Sequence, residues 1–257
     1  MATGLSAALA TRLEKVAVDN GFDRELQRNA DWLSFGSTQA PLRIWLTAVG
    51  DARCLVAFSQ ANVARAVGSE LGASRDGFNP PGAQGTVGTS DIPELHRVVR
   101  RAFQLSRSLP DELLHIFEKR AAALPRTTEA ERLVVQRIGQ EVFREGLIEY
   151  WDGRCAISGL AVVPLLRASH IKPWAVCASD AERLDVFNGI LLAPHLDAIF
   201  DQGLATVSDD GAFLLSNLLS DHDRRILGIM SPLRLSRIDD GHLPYLRFHR
   251  ENVFRHS

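Results

Sequence analysis

The sequence has few cysteines, and their arrangement excludes two kinds of small scaffold. The three cysteines in 257 residues are Cys54, Cys155 and Cys177, and no two of them form a Cys-x-x-Cys pair. A disulfide framework and a zinc ribbon both need more cysteines, paired more closely along the chain. We therefore expect a reduced, cytoplasmic protein whose scaffold is held by an apolar core.

Long apolar runs are also missing. None approaches the ~20 residues that a helix needs to cross a bilayer, and the first residues lack the basic and apolar regions of a secretory signal. The chain is 46% hydrophobic and 23% charged, which is typical of a folded protein and excludes a disordered, collagen-like or coiled-coil chain. We expect no membrane partner, and either one large domain or two small ones.

An excess of charge of one sign is missing as well, because 29 Lys and Arg residues stand against 31 Asp and Glu residues. The net charge of −2 does not by itself indicate a nucleic-acid ligand. The arginines are nevertheless clustered, within residues 97–107 and again from Arg224 onwards. Lysines are scarce, so Lys172, one of only three, is a conspicuous cation.

Residues 1–125 are predicted to form a small N-terminal α+β domain. Apolar residues at helical spacing predict four helices, at residues 4–19, 61–71, 94–107 and 110–123. Short β-like runs predict three strands, Trp32–Phe35, Leu42–Val49 and Cys54–Phe58, with a turn at Asp51 between the last two. Residues 73–93 are rich in glycine and proline and are expected to form a loop or linker.

The second predicted domain, residues 126–257, begins with a helix. Pro125 interrupts the preceding helical pattern, and Thr128 with Glu131 has the spacing of a capping box. The apolar residues predicted on one face of this helix are Val134, Ile138, Val142 and Leu147.

Residues 154–213 hold the segment that predicts a function. A β-like run starts at Val162 and continues to His170, and Pro173 stops it. After a loop of polar residues, Ile190–Leu192 predicts a second strand, and a helix begins near Pro194, a residue favoured at the first helical position.

This arrangement places a histidine beside a carboxylate. His170 lies at the open end of the predicted hairpin, and Asp197 lies in the first turn of the helix. A histidine near neutrality can take a proton from water, and a carboxylate can hold a hard divalent cation such as Mg²⁺. The pair suits hydrolysis of a phosphodiester.

Several motifs in this segment occur in one order, namely Cys155-x-x-Ser-Gly, Ala168-Ser-His-Ile-Lys-Pro-Trp, Arg183-Leu-Asp-x-x-Asn-Gly, Leu196-Asp-x-x-Phe-Asp-x-Gly and the later Tyr245–Arg250 run. Together they resemble the HNH endonuclease family with its ββα-metal finger, and in particular a bacterial restriction-type subgroup. The resemblance covers roughly residues 130–255. It implies an α+β fold with a C-terminal ββα-metal HNH nuclease domain after the N-terminal domain.

The resemblance implies catalytic roles for two residues. His170 matches the general base that activates the attacking water. Asn188 matches the asparagine that braces the loop and orients the base.

The same resemblance implies a divalent metal cofactor, with Mg²⁺ favoured and Mn²⁺ or Ni²⁺ as alternatives. Asp197, nine residues after Asn188, matches a metal ligand in the helix, and His195 is the rival candidate. Ser169 stands where many relatives have an acidic or histidine ligand. Asp201, one helical turn beyond Asp197, is a further candidate.

The sequence therefore predicts a metal-dependent DNA endonuclease of restriction or defence type. Arg167 and Lys172 are candidates for contacts with backbone phosphates. Residues 1–125 are expected to recognise a DNA sequence or a modified base, or else to serve regulation. Cutting both strands needs two active sites or two visits, and a homodimer would supply two sites.

Two other interpretations remain open. Ser169 and Asp197 depart from the family pattern, which favours a catalytically inactive HNH-fold protein that binds DNA or regulates. A toxin nuclease delivered to rival cells is the third interpretation.

Overall fold

The computed structural model describes residues 5–28, 31–49, 53–71, 74–76, 79–122, 124–125, 128–229 and 232–256. The chain divides into two compact units, Met1–Arg107 and Ser108–Ser257. Helices and strands occur in both units, so the predicted mixture of α and β structure is confirmed. Among the described residues, no helix is both long enough and apolar enough to span a membrane.

The first unit contains an antiparallel sheet with the strand order β1-β2-β3-β4-β6-β5. Its strands are β1 (Arg24–Arg28), β2 (Leu33–Gly36), β3 (Ile44–Val49), β4 (Arg53–Phe58), β5 (Ser74–Asp76) and β6 (Gly85–Thr89). Its helices are α1 (Ala7–Asp19), α2 (Ala61–Leu71) and α3 (Ile92–Ser108). The predicted turn at Asp51 lies outside the described residues.

The two central strands of this sheet are apolar on both faces. β3 and β4 pair from Ile44 opposite Phe58 to Val49 opposite Arg53. Trp45 lies opposite Ala57 and clusters with Trp32 on one face. Successive residues of a strand point to opposite sides, so the other face carries Ile44, Leu46, Val56 and Phe58. These side chains are also fully buried.

The prediction of a loop over residues 73–93 is wrong where this segment forms strands β5 and β6. Strand β6 lies between β4 and β5, deep in the sheet. A Cβ at Gly85 would lie 2.8 Å from the Cβ of Ala64, so glycine allows helix α2 to approach this strand. That requirement comes from packing between distant segments, and the local sequence gives no sign of it.

Strand β1 was missed because all five of its residues are exposed and no apolar alternation marks it.

The second unit combines helices with two small sheets, β7-β8 and β11-β10-β9. Its helices are α4 (Pro110–Ala121), α5 (Glu129–Tyr150), α6 (Asp180–Arg183), α7 (Pro194–Asp201), α8 (Asp221–Ile226) and α9 (Leu243–Asn252). Its strands are β7 (Arg167–His170), β8 (Gly189–Leu192), β9 (Ala205–Val207), β10 (Ala212–Leu215) and β11 (Leu233–Arg234). Residues Val163–Leu165, predicted to start the first strand of the hairpin, form a 3₁₀ turn instead.

Helix α5 begins with the predicted capping box. The Thr128 hydroxyl accepts from the Glu131 N–H at 3.3 Å, and the Glu131 carboxylate accepts from the Thr128 N–H at 2.8 Å. The predicted apolar face is partly wrong, because Val134 is 47% exposed. The buried face consists of Val135, Gly139, Val142, Phe143, Gly146, Leu147 and Tyr150.

Helix α4 packs against α5 at a glycine. A Cβ at Gly146 would clash with a methyl group of Leu113, and Arg120 forms an ion pair with Glu145 at 2.9 Å. The division into two units therefore precedes α4, whereas the sequence placed the boundary near residue 125. The role expected for residues 1–125 stays a prediction.

Candidate active site

The candidate site is built on the short hairpin of β7 and β8. Ser169 pairs with Ile190, and His170 pairs with Gly189. A Cβ at Gly189 would lie 2.5 Å from the Phe143 ring, so only glycine lets the hairpin lie this close to α5. Because adjacent strand residues face opposite sides, Ser169 and His170 point in different directions.

Ser169 faces helix α7. Its side chain is buried, and its hydroxyl donates a hydrogen bond to Oδ1 of Asp197. Pro194 occupies the first position of α7, and Asp197 lies in its first turn, where a negative charge is favourable. The structure thus places two of the predicted metal ligands in contact with each other.

Asp201 lies one turn further along α7. Partial burial and the negative charge of Asp197 raise the pKa of Asp201 to about 6. A cation bound here would relieve this repulsion, and the oxygen atoms of Ser169, Asp197 and Asp201 are the hard donors that Mg²⁺ accepts. The residues present therefore fit a divalent cation held in part by water.

Two observations limit this metal site. Within the described parts of the chain, no cluster of three or more His, Cys, Asp or Glu side chains is arranged to hold a metal ion. His195, the rival ligand, is exposed and makes no hydrogen bond with any residue that the structure describes. The structure thus joins Asp197 to Ser169 and leaves His195 apart from that pair.

His170 faces helix α5 and the loop that follows β7. Its ring stacks on Phe143 with centroids 3.8 Å apart, and Trp174 contacts it edge-on. Burial lowers the pKa of His170 to about 4, although the carbonyl of Arg183 acts in the opposite direction. The imidazole is therefore neutral at pH 7.

The tautomer of His170 follows from its hydrogen bond. Nε2 lies 2.9 Å from the backbone carbonyl oxygen of Arg183. A carbonyl oxygen can only accept, so Nε2 holds the proton of the neutral ring and Nδ1 keeps a lone pair. Within the described residues, no group donates a hydrogen bond to Nδ1. This is the state that a general base requires.

Asn188 closes the loop between the two strands. Its side chain is fully buried, and its Oδ1 accepts from the Lys172 N–H at 2.7 Å. Its Nδ2 donates to the carbonyl oxygens of Lys172 and Glu182, both at 3.2 Å. These are bracing contacts, as the resemblance implies, and their effect on catalysis stays a prediction.

The two candidate phosphate contacts differ in their surroundings. Lys172 is ion-paired with Glu182 at 2.6 Å, and its side chain is 18% exposed. Arg167 is exposed and has no hydrogen-bond or ion-pair partner in the described part of the chain. Arg167 is therefore the freer cation beside the hairpin.

Three residues outside the predicted catalytic, metal-binding and phosphate-binding set support the site. Arg183 supplies the carbonyl that binds His170, and its position in the Arg-Leu-Asp motif was the available signal. Asp185 caps the turn that holds Asn188 by accepting from the Phe187 N–H at 2.9 Å. The Tyr245 hydroxyl donates to the other oxygen of Asp185 at 2.8 Å, and burial raises the pKa of Asp185.

Comparison with known proteins bears on this segment. The family model described as HNH endonuclease matches residues 155–208, which include the hairpin, its loop and helix α7. No curated protein matches the chain. The match indicates a nuclease-type function in binding or cleaving DNA, and the restriction-type subgroup stays a prediction. Residues 155–208 thus match the HNH endonuclease family, and the resemblance is confirmed over this segment.

Proposed function

We propose that the chain is a metal-dependent DNA endonuclease of restriction or defence type, with His170 as general base. The observation that supports this most strongly is the bond between His170 Nε2 and the Arg183 carbonyl. It fixes the tautomer of an imidazole that burial keeps neutral, so that Nδ1 can accept a proton. A structural histidine gains nothing from an unbonded Nδ1, whereas a general base needs one.

In the proposed reaction, Nδ1 of His170 takes a proton from water, and the oxygen of that water attacks the scissile phosphorus. The P–O bond to the leaving 3′ oxygen then breaks. Asn188 acts through the loop, because it holds the segment on which Lys172 and Glu182 lie. Removing a general base typically slows a reaction by ~10²–10⁴-fold.

HNH nucleases typically use divalent metals. Asp197, with Ser169 and Asp201 beside it, would hold such a cation in this chain. The cation would supply positive charge that stabilises the phosphate and the leaving oxygen in the transition state.

DNA binding is proposed to involve Arg167, which is exposed at the start of β7. Its free guanidinium suits a backbone phosphate. The first unit is proposed to recognise a DNA sequence or a modified base. A homodimer is proposed for cutting both strands.

The test is a plasmid-cleavage assay with the full chain in Mg²⁺, Mn²⁺, Ni²⁺ or EDTA. We expect nicking with metal, none in EDTA, and loss of nicking in His170→Ala. His222→Ala is the matched control, because His222 is exposed on α8, away from the hairpin. Plasmids from modifying and non-modifying hosts test whether the first unit reads a modified base.

The second candidate is an inactive HNH-fold protein that binds DNA or regulates. Two facts favour it: serine occupies the position of a usual ligand, and the described residues hold no three-ligand cluster. DNA shifted in a gel but left intact with every metal would support this candidate over the nuclease. Cleavage by His170→Ala at the wild-type rate would also contradict the assignment of the base.

A further inference from the structure

The loop between β7 and β8 is tied together by one guanidinium group. Arg183 donates from Nε to the Trp174 carbonyl at 3.3 Å and from Nη2 to the Cys177 carbonyl at 2.8 Å. Its Nη1 donates to Oδ1 of Asp180 at 3.0 Å. Three points of the loop therefore converge on a single side chain.

The same residue contacts the candidate base through its backbone. The Arg183 carbonyl accepts from Nε2 of His170 at 2.9 Å. Trp174, whose carbonyl the guanidinium holds, lies edge-on to the His170 ring with centroids 5.4 Å apart. Movement of the Arg183 side chain would therefore displace both groups that border the imidazole on this side.

The clamp lies at the edge of a cavity. A cavity of about 370 Å³ lies between the loop and helices α4 and α5. Phe117, Val135, Trp174 and Arg183 line it, among others. Trp174 packs closely against Gly139 of α5, where a Cβ would lie 2.7 Å from its ring. The guanidinium of Arg183 adds directional hydrogen bonds to the loop at the edge of this cavity. Asn188 holds other points of the loop, at Lys172 and Glu182.

We propose that Arg183 is a positioning residue for His170: its guanidinium fixes the loop so that its own carbonyl holds the imidazole as the Nε2–H tautomer. The part of this inference that concerns cleavage rests on the proposed nuclease function. The part that concerns the imidazole stands on the geometry alone. In this proposal Asn188 and Arg183 both hold the loop that orients the base.

Arg183→Met tests the clamp, because methionine keeps much of the apolar stem and removes every donor. We expect kcat for plasmid cleavage to fall about 10–100-fold, as a slightly misplaced catalytic group does. The Kd for DNA should not change, since the guanidinium is directed into the loop. Arg183→Lys should recover little activity, because one ammonium cannot reproduce a planar fork of donors.

Arg224→Met is the matched control. Arg224 donates to the carbonyls of Leu219 and Ser216 in another loop of the same unit. Its side chain is 29% exposed, close to the 24% of Arg183. We expect the control to lose thermal stability to a similar extent and to keep the wild-type kcat.

A spectroscopic measurement separates this inference from the nuclease proposal. In protein with ¹⁵N-labelled histidine at neutral pH, the ring shifts of His170, identified by their absence in His170→Ala, should report the Nε2–H tautomer. Arg183→Met should give a mixture of tautomers, and Arg224→Met should not. Arg183→Lys serves for this measurement if the methionine variant does not fold.

The outcomes are distinct. An inactive wild type with a single tautomer that Arg183→Met disturbs would refute the nuclease and support the clamp. A wild type that cuts, with an Arg183→Met variant of unchanged kcat and tautomer, would refute the clamp and leave the nuclease standing.

Discussion

The hydroxyl of Ser169 donates a hydrogen bond to Oδ1 of Asp197, and so joins strand β7 to helix α7 at two candidate ligand positions. The serine is 2% exposed, whereas Asp197 is only partly buried. In the proposed metal site, Ser169 would act at least through the carboxylate that it orients.

Ser169→Ala should weaken metal binding. Loss of a group that orients a ligand typically lowers metal affinity by about 10–100-fold. We expect the Mn²⁺ concentration for half-maximal cleavage to rise by that factor, while cleavage at saturating metal stays near the wild-type rate. Equal metal requirements of the two proteins would contradict a role for Ser169 in orienting Asp197.

The stability of the second unit should fall in acid because of His249. Burial lowers the pKa of this histidine from 6.5 to about 4, and its ring stacks on Phe200. Because the pKa of His249 is lower in the folded than in the unfolded state, the neutral ring contributes its full stabilisation of the fold above pH 6.5. This stabilisation is lost as the pH falls towards 4. The free energy of unfolding should fall by up to about 3 kcal/mol through this one group.

Thermal melting between pH 7.5 and 4.5 checks this expectation. His249→Leu should show a shallower decline with falling pH than the wild type, because it has no imidazole to protonate at this position. Parallel curves for the two proteins would refute the assignment.

Gly189→Ala should destabilise the hairpin. The added Cβ would lie 2.5 Å from the Phe143 ring and 2.8 Å from a Leu147 methyl group. Overpacking of this kind typically lowers the free energy of unfolding by about 1–3 kcal/mol. Here it would also displace the adjacent Asn188 from its hydrogen-bond partners in the loop. Urea denaturation should give a lower midpoint, and cleavage should fall with it. An unchanged midpoint would contradict this prediction and show that the side chains of α5 move aside without loss of stability.

Arg167→Ala and Lys172→Ala should have different effects. The side chain of Arg167 is exposed and free of partners in the described structure, so its loss should weaken DNA binding. The slope of log affinity against log salt concentration should become shallower by about one unit, the share of one phosphate contact. Lys172 is paired with Glu182, so its loss should lower stability more than DNA affinity. Binding measured from 50 to 200 mM salt, together with melting curves, distinguishes the two. A larger change of salt slope in Lys172→Ala would reverse this assignment.

The sequence predicted the parts of the fold that local patterns determine. Helix α2 and the pair β3 and β4 follow from apolar spacing, and the hairpin with α7 follows from His170, Pro173 and Pro194. Strand β6 did not follow, because Gly85 is required by α2 rather than by its neighbours along the chain.

The candidate site shows the same division. The spacing of His170, Asn188 and Asp197 identified the residues, since a resemblance is carried by positions along the sequence. The contact of Ser169 with Asp197 and the clamp of Arg183 depend on how a strand, a loop and a helix meet in space. A one-dimensional pattern does not determine such contacts.

The bond between Tyr245 and Asp185 affects the order in which the site can be completed during synthesis. Asp185 caps the turn that holds Asn188, and its partner Tyr245 lies on α9, much later in the sequence. In a nascent chain that has not yet released α9 from the ribosome, Asp185 therefore lacks its hydroxyl donor. The turn that braces the base reaches its final form only after the later helix has docked, so a partly synthesised chain remains without a finished site.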